Sequence, residues 1–120
     1  KVLIVEDDMR TMFAMAKLLS DHGLVLYKAE NGKKALEILN NQKDVDLILM
    51  DMMMPVLDGY EASRCIRKQA HFDTVPIIAL TAKAMKEDRT NCIEAGATDY
   101  LSKPIDPDRL ISLLRVWLCR

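Results

Sequence analysis

A doubly wound α/β fold, with helices on both faces of a parallel sheet, is predicted by three observations on this sequence. Short apolar runs recur five times, stretches of three- and four-residue apolar spacing separate them, and several runs close on a carboxylate or hydroxyl. Short right-handed crossovers are the default connection in such an alternation, so the strands come out parallel.

Val2-Leu3-Ile4-Val5 is the first run, rich in β-branched residues, as expected of a strand covered on both faces. From Met9 to Asp21 the period turns helical through Met12, Met15, Ala16 and Leu19, and Gly23 signals its end. Leu24 to Tyr27 reads as the second strand. Asn31-Gly32 marks a turn into a helix lined by Ala35, Leu36 and Leu39 that ends near Asn41. Leu47 to Met50 is the third strand and stops at Asp51. Pro55 and Gly59 punctuate the next loop, where Asp58 can cap a helix carrying Tyr60 or Ala62, Ile66 and Ala70. Val75 to Leu80 is the fourth strand, with Pro76 tolerated near its start. A weaker fourth helix is predicted from Met85 to Glu94, closed by Gly96, and Thr98 to Leu101 gives the fifth strand. The fifth helix begins near Pro107 and carries the clearest apolar stripe, Leu110, Leu113, Leu114, Trp117 and Leu118.

With 120 residues there is room for one domain, residues 1–120, and none for a second. A net charge of -1 from 17 basic and 18 acidic residues excludes the basic stripe that a nucleic-acid surface requires. Cys65, Cys92 and Cys119 form no CxxC pair and read as free thiols of a reducing compartment. No apolar run nears the roughly twenty residues that cross a bilayer. The chain starts at Lys1 and ends at Arg120, which suggests excision from a longer protein.

In open α/β sheets chemistry gathers outside the carboxyl ends of the strands. Glu6, Asp7 and Asp8 close the first run and Asp51 closes the third, so these acids are expected to converge. Asp8 also reads as an N-cap for the helix starting at Met9. Like charges in a partly dehydrated crevice require either a proton or a hard divalent cation. Magnesium suits an all-oxygen set of one or two carboxylates, a backbone carbonyl, water and phosphate oxygens. Thr81 and Lys103 close the fourth and fifth strands on the same rim. A hydroxyl and an ammonium facing a cation-bound carboxylate make a receptor for a tetrahedral oxyanion. Aspartate itself forms acyl phosphates, which makes Asp51 the candidate acceptor. The run Met52-Met53-Met54 is read as packing, because soft sulfur is out of place among hard carboxylates.

The segments VLIVEDD at 2–8, DMMMPVLDG at 51–59, IIALTA at 77–82 and AGATDYLSKPI at 95–105 closely resemble the receiver domain of two-component response regulators. The resemblance spans practically the whole chain and is most similar in style to the attached receiver of a hybrid histidine kinase or phosphorelay protein. It implies a flavodoxin-like, five-stranded sheet of order 2-1-3-4-5 with five helices on both faces. It implies Asp51 as phosphoacceptor from a phosphohistidine, Glu6 and Asp7 as the acidic pair, and Asp7, Asp51 and the Met53 carbonyl as ligands of magnesium, with manganese as substitute. Thr81 and Lys103 become phosphate contacts, and Tyr100, with Thr81, the switch. Met53, Ala82 and Lys83 become modulators: Met53 screens the acyl phosphate from water, Ala82 leaves the donor an open approach, and Lys83 covers the phosphate or faces solvent.

The partners implied are a histidine kinase or histidine phosphotransfer domain and an output protein on the face of the fourth helix, fifth strand and last helix. Nucleic acid is not contacted directly, and a membrane is met only through a larger parent. The domain is expected in the cytoplasm, promoting its own phosphorylation and dephosphorylation. A free-standing regulator is the alternative. A small phosphatase-like hydrolase lacks a substrate cap here, and a non-phosphorylated pseudo-receiver would not need the complete acid, hydroxyl and lysine set.

Overall fold

The computed structural model describes residues 1–42, 44–52, 59–68, 75–81, 90, 93–102 and 105–118. Five strands, β1 (Val2–Val5), β2 (Leu26–Ala29), β3 (Leu47–Asp51), β4 (Ile77–Thr81) and β5 (Asp99–Ser102), form one sheet in the order β2-β1-β3-β4-β5. Every neighbouring pair is parallel. The helices are α1 (Met9–Asp21), α2 (Gly32–Asn41), α3 (Gly59–Arg67) and α4 (Pro107–Leu118).

Strand alternation divides the core in two. Leu3, Val5, Ile48, Met50, Ile77 and Ala79 face α2 and α3 and meet Ala35, Leu39, Ala62 and Ile66. Val2, Ile4, Leu47, Leu49, Ile78, Leu80 and Leu101 face the other way, onto Met12, Met15, Leu19, Leu110 and Leu114 of α1 and α4. The central strands are therefore apolar on both faces, and each Leu, Ile or Val taken fully from water contributes about 1.5–3 kcal/mol.

The sheet order agrees with expectation, but the helix count does not: the described residues contain four helices, not five. Of the helix expected from Met85 to Glu94 only Thr90, Ile93 and Glu94 are described, and the rest lies outside the described residues. Ile93 is half exposed, and Thr90 and Glu94 also face solvent.

Three strands lie later than their apolar runs suggest. Leu24 N–H is still engaged by Leu19 O at 3.2 Å in the C-terminal turn of α1, so β2 begins at Leu26. Pro76 has no N–H to place in a ladder, and β4 begins after it. Thr98 gives its N–H to Ile77 O at 2.7 Å ahead of β5. Two caps bound the first helices. Asn31 accepts from Lys34 N at 2.8 Å to start α2, and His22 ends α1 with Nδ1 2.9 Å from Leu18 O. Cys65 is a free thiol, while Cys92, Cys119, Asp58 and His71 lie outside the described residues.

Candidate phosphoacceptor site

Three consecutive acids leave β1 and take three different positions. Glu6 N–H donates to Ala29 O at 3.0 Å, which carries the β1–β2 pairing one step past the strand and fixes Glu6 against the sheet, fully buried. Asp7 is exposed at the mouth of the crevice. Asp8 turns away to cap α1, accepting from Arg10 N at 3.0 Å and from the Thr11 hydroxyl at 3.1 Å. The Arg10 N–H, with the Thr11 hydroxyl behind it, holds the Asp8 carboxyl below the usual aspartate range. Asp8 N–H in turn donates to Glu6 Oε1 at 3.2 Å, so the cap also orients its buried neighbour.

Asp51 is the last residue of β3, in register with Leu80 and only 2% exposed. Met52 N–H donates to Leu80 O at 3.1 Å, which extends the ladder beyond Asp51 and leaves its backbone little freedom. Glu6, Asp7 and Asp51 each bring a carboxylate oxygen to within 4.8 Å of the others. At that separation two carboxylates repel by about 3–4 kcal/mol even at an effective dielectric constant near 20. The physical remedies are a proton or a cation, and an all-oxygen set selects a hard divalent ion. The residues present therefore fit such an ion.

Thr81 ends β4 one position past the partner of Asp51, in register with Ser102, and is 5% exposed. A hydroxyl thus joins the acids on the carboxyl rim. Lys103 directly follows β5, but it lies outside the described residues, as do Met53, Ala82 and Lys83. Tyr100 stands opposite Ala79, back from the rim, with its ring packed half-buried against the core shared by α2 and α3.

Sequence reasoning could not assign the three adjacent acids to crevice, mouth and cap beyond the Asp8 cap, because all precede one helix start. It also passed over Asp99, whose carboxylate meets Trp117, a residue read as core packing. The signal available was an indole N–H in an apolar stripe, since a buried indole needs an acceptor.

An open parallel sheet with an acidic cluster where the chain order reverses, between β1 and β3, defines a doubly wound domain with an anionic crevice at its switch point. Residues 2–115 match the response regulator receiver domain, and the chain belongs to that family. It is a phosphorelay receiver domain, with an aspartate phosphoacceptor site and an output surface.

Among solved structures, the receiver domain of sensor histidine kinase PA1611 from Pseudomonas aeruginosa, with a magnesium ion coordinated in its active-site cleft, is 40% identical. It aligns with a TM-score of 0.91 over 99% of this chain and 97% of that one. The receiver domain of Saccharomyces cerevisiae Ssk1, crystallised with the histidine phosphotransfer protein Ypd1, is 33% identical, with a TM-score of 0.91 over 98% of this chain and 88% of that one. Protein PilH of Pseudomonas aeruginosa is 35% identical over 98% of this chain and 97% of its own length. The probable transcriptional regulator ycf29 of Pyropia yezoensis is 39% identical over the whole of this chain, which spans only 54% of that relative. Among the described residues no helix is long and apolar enough to cross a membrane.

Proposed function

We propose that Asp51 is the residue that receives the phosphoryl group, with Glu6, Asp7 and Asp51 as the holders of a magnesium ion. The observation that carries this reading is the convergence of those three carboxylates within 4.8 Å around a nearly buried Asp51. Asp7 and Asp51 would be the direct protein ligands, with the Met53 carbonyl, and Glu6 would complete the acidic set. When bound, magnesium neutralises the crowded acids and the phosphoryl oxygens.

An Asp51 carboxylate oxygen attacks phosphorus on the donor imidazole. The O–P bond forms as the N–P bond breaks, and the histidine ring leaves. Thr81 Oγ donates to one phosphoryl oxygen and the Lys103 ammonium balances another. The mixed anhydride adds negative charge and strong acceptor oxygens at the end of β3, which draws Thr81 toward it. Space vacated by Thr81 lets Tyr100 turn inward, altering the outer edge of the sheet where an output partner docks.

In this reading Met53 screens the acyl phosphate from water and Ala82 leaves the donor's approach open, while Lys83 covers the phosphate or faces solvent. The donor is a histidine kinase or a histidine phosphotransfer domain, a reading supported by the likeness to the Ssk1 receiver crystallised with Ypd1. Residues 1–120 are one receiver domain, and the 40% identity to the receiver of a sensor histidine kinase favours a module of a hybrid kinase working in the cytoplasm. A free-standing regulator is the second reading, favoured by the end-to-end match with PilH.

The test is magnesium-dependent transfer of label from a phosphohistidine protein. Incorporation is expected in the native chain and absent from Asp51→Asn. Undiminished labelling of that variant would move the acceptor elsewhere.

A further inference from the structure

We propose that Asp99 is a positioning residue that fastens α4 to β5 and so carries the state of the phosphoacceptor site to the last helix. The proposal rests on the reading of Thr81 and Tyr100 as the switch, and extends it through Asp99 to the last helix.

β5 is the last strand in the order of the sheet, with no strand beyond it among the described residues. Asp99 opens it and places one carboxylate oxygen on each of two donors. Oδ1 accepts the N–H of Tyr100 at 2.8 Å, and Oδ2 accepts the indole N–H of Trp117 at 3.3 Å. The side chains of the two donor residues pack on opposite sides of the sheet, the Tyr100 ring on the core shared by α2 and α3 and Trp117 on the core shared by α1 and α4. A single carboxylate thus joins the backbone N–H of the switch residue to the penultimate position of α4. Both bonds are partly buried, and both acceptors belong to one carboxylate.

The arrangement transmits movement for a geometric reason. If the Tyr100 ring turns and its backbone shifts, Oδ1 follows the Tyr100 N–H, and the rigid carboxylate moves Oδ2 with it. Trp117, held through its N–H, then moves with β5 instead of staying with the core beneath it. Carboxylate chemistry is required at this position. An asparagine has one acceptor oxygen and an NH2 group, so it has the same shape but can serve only one of two N–H donors.

The experiment uses the full chain. Amide hydrogen exchange over Asp99–Ser102 and Pro107–Leu118 is compared with and without magnesium and beryllofluoride, a phosphoryl mimic, in the native chain, Asp99→Asn and Trp117→Phe. Label uptake from acetyl phosphate is followed in parallel. Trp117→Phe keeps an aromatic ring and removes the N–H together with part of the indole, whereas Asp99→Asn keeps all the packing, so the two variants break the latch from opposite ends and share only the lost hydrogen bond.

In the native chain, exchange in both β5 and α4 is expected to change when the mimic binds. In each variant β5 should respond, α4 should lose its response, and label uptake should be unaltered. An α4 response of native size in both variants overturns the proposal. So does a native chain that takes up label while α4, or β5, stays unchanged. A native chain that takes up no label and shows no exchange response instead refutes the assignment of the phosphoacceptor site.

Discussion

The two ends of the sheet are built on opposite electrostatic plans. At the carboxyl end, Glu6 and Asp51 are buried beside Asp7, three acids whose oxygens lie within 4.8 Å. At the amino end, donors and acceptors are matched. The Arg67 guanidinium closes the last turn of α3 onto the entrances to β4 and β5, donating to Gly96 O at 2.8 Å, Val75 O at 2.6 Å and the Thr98 hydroxyl at 3.0 Å. That hydroxyl also accepts from Ile77 N at 3.1 Å. Gly96 makes the close approach possible, because a Cβ there would lie 2.6 Å from Arg67 Cγ and its φ of +112° disfavours any other residue. The amino end is fastened by these bonds, and the acidic cluster at the carboxyl end fits a divalent cation.

The sharpest way to break this contrast is Asp51→Asn. Loss of label should be complete, and in chelator the variant should melt higher than the native chain because one buried like charge is gone. Magnesium should raise the melting temperature of the native chain, by about 2.7 kcal/mol equivalent at a hundred times its dissociation constant, and that of the variant far less. Equal responses to magnesium would show that the carboxylates are not its site.

Next in size is Gly96→Ala, expected to cost about 2–4 kcal/mol from a strained φ and an overpacked contact. In an Arg67→Ala background the contact part should vanish, so the double variant should be less destabilised than the sum of the singles. Strict additivity in denaturant titrations would count against the clamp. Arg67→Lys should cost about 1–3 kcal/mol, because a compact ammonium cannot span three acceptors set around a planar fork. Label uptake at the opposite end should be retained in that variant.

The smallest effect concerns pH. Asp8 is held low by the Arg10 N–H and the Thr11 hydroxyl, and Asp44 by the Lys1 ammonium. A carboxyl depressed in the folded state contributes fully above its unfolded value and loses that contribution as pH falls through the folded one. Native and Asp8→Ala melting temperatures should therefore differ at neutral pH and converge in acid, below the ordinary aspartate range. A gap that widens in acid would reverse the assigned sign.

Much of the site was legible because strand ends are marked in the chain. Apolar runs closing on Glu6 and Asp51 place both acids on one rim in any parallel sheet, and the Asp8 cap follows from a helix that starts at Met9. Of the expected fourth helix only Thr90, Ile93 and Glu94 fall among the described residues, which contain four helices and not five. Strand starts slipped by one or two residues where a cap, a proline or a side-chain hydroxyl competes for the backbone. The first two contests are local, and the third is decided by Ile77, distant in sequence from Thr98.

The residue pattern alone determined the alternation of strand and helix, the sidedness of the core and which acids end which strands, since these depend on local period and polarity. Tertiary structure alone decided the assignment of Glu6 to the interior and Asp7 to the mouth, the grip of Arg67 on Gly96 and the bridge from Asp99 to Trp117. Each joins groups whose separation along the chain carries no local signal, and only packing brings a donor to its acceptor.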